Sequence, residues 1–119
     1  MSKSNACENS LLLLLFNNTD FANVGDAAGL QNSATAGNLY ASLHTADPGE
    51  AGSQTTNEIT YTSYARVAVA RSGAGWTVTA NSVSPVATIA FPAGKGGSGT
   101  ATHIGIGTDS GGAGTLLYS

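Results

Sequence analysis

Residues 11–16 read Leu-Leu-Leu-Leu-Leu-Phe, the one strongly apolar run in the chain. A helix that is apolar on every side has to be covered on every side. A chain of 119 residues buries only about two-thirds of the surface its unfolded form exposes, which allows one core and no deep enzyme cleft. The run falls far short of the roughly 20 residues a membrane span needs, and it is short for a signal-peptide core. Cys7 stands before it, the wrong order for a lipoprotein signal. Asn5 reads as a helix cap, with Glu8 three residues later placed to return a bond to the cap amide. A short N-terminal helix is predicted, with Leu11, Leu13, Leu15 and Phe16 as anchors shared between the chain's own domain and a neighbour.

Residues 17–38 are mostly Asn, Gly, Ala, Ser, Thr and Asp, and their strong apolar anchors are Phe21, Val24 and Leu30. A connection of about 20 residues is long for a compact domain, and such loops tend to be functional or partner-ordered. Ordering backbone costs roughly 1–2 kcal/mol per residue, while burying these three side chains returns about 1.5–3 kcal/mol each. The segment is therefore expected to be mobile in the free subunit and fixed by contacts from another. The chain divides into a helix and arm over 1–38 and a β domain over 39–119, which is expected to fold as one unit.

From residue 39 the pattern changes to period two. Leu39, Ala41 and Leu43 alternate with Tyr40, Ser42 and His44 as a half-buried strand, and Asp47-Pro48-Gly49 supplies turn chemistry after it. Residues 64–71 and 76–80 read as two strands joined by Ser72-Gly73-Ala74-Gly75, a hairpin signal. Further strands are predicted at 87–91, 102–107 and 115–118, with a glycine-rich loop over 92–100. Short strands and glycine-rich turns predict a mainly β fold, an antiparallel β-sandwich or small barrel with one short N-terminal helix.

Only 9% of the residues are charged, against roughly 25% in ordinary soluble domains. Gly, Ala, Ser and Thr take their place. A surface so poor in charge suits a subunit covered by its neighbours rather than a free monomer. The net charge is −3 with no basic run, so there is no electrostatic footprint for nucleic acid. One cysteine, Cys7, forms no internal disulfide, and with only His44 and His103 beside it no zinc set is predicted. No cofactor, metal or membrane is expected.

Three motifs suggest chemistry and fail on context. Asp109-Ser110-Gly111-Gly112 repeats most of the sequence around the nucleophile of chymotrypsin-like serine proteases, but those enzymes need two barrels and roughly twice this length. A turn is the expectation, and a hydrolase would require His44 or His103 within reach of Ser110. Lys95 lies in a glycine-rich stretch without the Ser or Thr of a phosphate loop, and Gly105-Ile106-Gly107 meets Ser110 where a dinucleotide motif wants glycine. Each histidine should stand on the less apolar strand face, beside a polar partner or an interface. Trp76 with Tyr40, Tyr61 and Tyr64 would form a sugar-binding platform if exposed together, and hairpin-core packing of Trp76 if not.

The stretch Gly37-Asn38-Leu39-Tyr40-Ala41-Ser42-Leu43-His44-Thr45-Ala46-Asp47-Pro48-Gly49-Glu50-Ala51-Gly52 resembles the signature of small tailed-phage and prophage proteins usually called tail fibre proteins. Thr62-Ser63-Tyr64-Ala65-Arg66-Val67, Ala90-Phe91-Pro92, Thr102-His103-Ile104-Gly105-Ile106 and Gly114-Thr115-Leu116-Leu117-Tyr118-Ser119 fit it in order. The resemblance implies a non-enzymatic structural subunit of a virion, in the tail or decorating the capsid, assembled in the host cytoplasm. Its implied partners are further copies of itself, other virion proteins and, for a receptor-binding module, a host-surface glycan. Similar family members run on past Leu-Tyr-Ser with more apolar segments, so an unpaired sheet edge open to strand addition is expected here.

Overall fold

The computed structural model describes all 119 residues, and its first element is helix α1, Asn5–Asn17. Ser4 caps it in place of Asn5: its hydroxyl accepts a bond from the Cys7 amide at 3.3 Å, and the Glu8 carboxylate turns instead to Asn81. Asn18, left-handed at φ 53°, ends the helix, a conformation asparagine tolerates. The last helical carbonyls need outside donors. Arg71 supplies them, its guanidinium donating to the oxygens of Leu14 and Leu15 at 2.6 and 2.8 Å. A cation here also meets the negative pole of the helix.

The chain forms two compact units, Met1–Gly37 with Ala70–Thr88 and Asn38–Val69 with Ile89–Ser119. In the first, α1 packs on a hairpin of β3, Trp76–Thr79, and β4, Ser82–Pro85. Leu12 and Phe16, four residues apart on one helix face, are buried, and Phe16 meets the Trp76 ring edge-on at 4.9 Å. Trp76 is 3% exposed, which answers the sequence question in favour of hairpin-core packing.

The predicted hairpin between residues 64–71 and 76–80 is corrected. The amides of Gly75 and Trp76 both turn back onto the Ser72 carbonyl, and β3 pairs forward with β4 in antiparallel register from Trp76↔Pro85 to Thr79↔Ser82. The hairpin turn is Ala80-Asn81, with Ala80 at φ 56°.

The second unit is built on a four-stranded sheet in the order β2, β1, β5, β6, formed by Val67–Ala70, Asn38–His44, His103–Gly107 and Leu116–Tyr118. Strand outweighs helix at 25% against 11%, in two antiparallel sheets, so the mainly β reading holds; no barrel closes. Residues 87–91 form no strand. Phe91 instead stacks on Tyr64, which lies edge-on to Tyr61. The 92–100 loop is glycine-rich for a reason of space: a Cβ on Gly99 would come within 2.9 Å of Ile59, and one on Gly96 within 3.3 Å of Thr62.

Candidate functional site

Directly opposed residues of an antiparallel pair share a face. On β1 and β5 this sets Tyr40, Ser42 and His44 with Gly107, Gly105 and His103 on one face, and Ala41 and Leu43 with Ile106 and Ile104 on the other. Alternation alone predicts the apolar set inside. On β1 that set is inside, with Leu39 5% and Ala41 0% exposed, but Ser42 and His44 on the opposite face are 0% exposed as well, while Ile104 on β5 is 48% exposed. The cause is the segment 45–59, which leaves the end of β1 and closes back on it through the His44↔Glu58 bridge. It lays Gln54, also 0% exposed, over Gly107.

His44 is held at both ring nitrogens. Nδ1 lies 2.8 Å from the Thr56 carbonyl, and Nε2 lies 2.8 Å from the Ser42 hydroxyl. A carbonyl only accepts, so Nδ1 donates to Thr56, and Nε2 shares its hydrogen bond with the Ser42 hydroxyl. Gly105 makes the pair possible, because a Cβ there would stand 2.6 Å from Nε2 and 2.7 Å from the Ser42 hydroxyl. Glycine usually weakens a strand and marks a place where other groups come close. Gln54 works in the same way on the next strand position: its Oε1 accepts the Asp109 amide at 2.9 Å and its Nε2 donates to the Asp109 carbonyl at 3.3 Å. A side-chain amide thus takes the place of a ladder partner.

Beside it lies the Glu58 and Arg66 pair. Arg66 donates to both Glu58 oxygens at 2.7 and 2.8 Å, and to the carbonyls of Asp109 and Gly112 at 2.9 and 2.7 Å. Their side chains are 3% and 13% exposed. Tyr64 donates its hydroxyl to Glu58 and accepts the Leu43 amide. Burial alone would raise the Glu58 carboxyl, but the bonds from Arg66 and Tyr64 and the Arg66 charge outweigh it and hold the group below its ordinary value. The bond to Glu58 raises the Arg66 guanidinium. Burial, with the Glu58 carboxylate adding to it, pushes Tyr64 up to about 12.

These groups act as ties. The Asp109-Ser110-Gly111-Gly112 run is the expected turn, fastened by Gln54 and Arg66, with Ser110 exposed. Both ring nitrogens of His44 are taken by Ser42 and Thr56, and His103 bonds Thr102. Ser42 and His44 have the spacing of a nucleophile and base, yet both are sealed from solvent.

Of the predicted anchors, Phe16 is 1% exposed and serves the core of the first unit, while Leu11, Leu13 and Leu15 are half-buried along α1. Phe21 is half-buried, and Val24 and Leu30 are 41% and 45% exposed. The loop carrying them is tied internally. Phe21 and Leu30 exchange both backbone bonds at 2.9 Å. Asn18 bonds Ser33, Asp20 bonds the Asn32 amide, and Asp26 takes the amides of Ala28 and Gly29. Its polar side chains supply the ties that its few apolar ones do not. Trp76 is buried, so it offers no exposed face to a four-aromatic platform.

Residues 2–119 match the family model described as podophage GP4 fiber I protein gp80. The chain belongs to this family. No curated protein and no solved structure matches it. The match takes in α1, the bonded loop and both sheets. Membership in this phage fibre family gives the chain a structural role, a virion-associated location and association with other virion components.

Proposed function

We propose that this member of the fibre family is a non-enzymatic structural subunit of a tailed-phage virion that works by self-association and by contact with neighbouring virion proteins. The family match over residues 2–119 carries the reading. Its anchors are Leu11, Leu13 and Leu15 on the half-buried flank of α1, with Phe21, Val24 and Leu30 on the bonded loop. The low charge supports it, since 9% charged residues leave little to hold copies apart. Its polar interior fits the same role: ties at Gln54, His44 and Arg66 stiffen turns that a small apolar core would leave loose.

Sedimentation tests the reading. The purified chain is expected to form multimers at tens of micromolar, and Leu13→Asp to weaken association at least tenfold, because it puts a charge into an apolar contact. A wild-type chain that sediments as a monomer would overturn self-association.

A further inference from the structure

The second unit bears a groove of about 500 Å³ beside the 47–52 turn, lined by Asp47, Glu50, Leu116 and Leu117 among others, with no Lys or Arg in its lining. Two leucines and two carboxylates in one groove suit an occupant that carries an apolar side chain beside a cation. The chain has four Lys and Arg side chains. Arg66 is committed to Glu58 and Arg71 to the carbonyls of α1. Of the two lysines, Lys95 is flanked by Gly94 and Gly96, and its amide is bonded to Thr62. Lys3 differs on each count. It lies in residues 1–3, which are exposed, without secondary structure and without a hydrogen bond to the rest of the chain, and Met1 stands two residues away.

We propose that the groove receives residues 1–3 of a second copy, with Lys3 against Asp47 and Glu50 and Met1 against Leu116 and Leu117. The inference rests on the self-association reading and gives it a direction. Each copy then carries both an arm and a groove, so one chain supplies both halves of the contact. Residues 1–3 run straight into α1, so seating them delivers the half-exposed leucines of α1 to the same neighbour. The charges set register and approach more than affinity.

Charge exchange tests it by sedimentation of the full chain in low and high salt. Glu50 is the groove position to change, because Asp47 already holds the Gly49 amide at 2.8 Å. Lys3→Glu and Glu50→Lys should each weaken association roughly tenfold at low salt and reduce its salt dependence. The chain carrying both changes should recover most of the loss. An equimolar mixture of the two single variants should associate better than either variant alone, since one keeps its groove and the other its arm. If wild type associates and the single variants associate equally well, or the double variant is no better than either, the arm proposal is wrong while self-association stands. If wild type is a monomer throughout, both fail.

Discussion

Replacing His44 by alanine is expected to destabilise the second unit by about 3–5 kcal/mol, the range for removing a large buried side chain. The ring is 0% exposed and bonded at both nitrogens, so its loss opens a cavity and also leaves the part-buried Thr56 carbonyl without this donor, which adds to the cost. Ser42 is less affected because its proton has a second acceptor in the Gly105 carbonyl at 3.3 Å. A melting temperature lower by roughly 15 °C should follow, read by far-ultraviolet circular dichroism, since the single tryptophan lies in the first unit. His44→Asn keeps an amide N–H near the place of Nδ1 and should recover part of the loss. A cost under about 1 kcal/mol for the alanine variant would mean that segment 45–59 is not held by this ring.

Glu58→Ala should cost about as much for a different reason. It leaves the Arg66 guanidinium, with a side chain 3% exposed, buried without its counter-charge, and breaking such a pair from one side typically costs about 3–5 kcal/mol. Adding Arg66→Met removes the orphaned charge, so the double variant should be more stable than Glu58→Ala alone despite losing the bonds to Asp109 and Gly112. The acid dependence has a definite sign. The Glu58 carboxyl is held below its ordinary 4.5, so its contribution is complete above that value and is lost as pH falls through the lower folded one. Denaturation in urea between neutral pH and pH 3 should show this loss in wild type, and Glu58→Gln should flatten it. Equal acid sensitivity in both would assign the effect to other carboxylates.

The period-two run at Leu39 to His44 made strand β1 legible, and the Asp47-Pro48-Gly49 turn followed as read, with Gly49 at φ 70°. That the polar face is buried as well as the apolar one was not legible. Alternation says which residues are apolar, but β1 is central in its sheet and a polar face can be covered when every group finds a bond. The signal was present in Gly105 and Gly107, strand glycines placed where a Cβ would strike His44, Ser42 or Gln54. The β3 and β4 hairpin was missed because its turn uses Ala80 in a left-handed conformation that the usual Asn-Gly signature does not mark. In the 18–37 loop, weighing apolar side chains alone overlooked what Asn18, Asp20 and Asp26 do for the backbone. The interface anchors were legible only as apolar letters, and a run of five leucines and a phenylalanine does not say which two the hairpin will take: Leu12 and Phe16.

Immunogold labelling of gradient-purified phage particles, with antibody raised against this chain, tests the virion role most directly. Gold is expected on the particle at a fixed position in the tail, in proportion to particle number. Unlabelled particles from an infection whose lysate contains the chain would contradict a structural place in the virion.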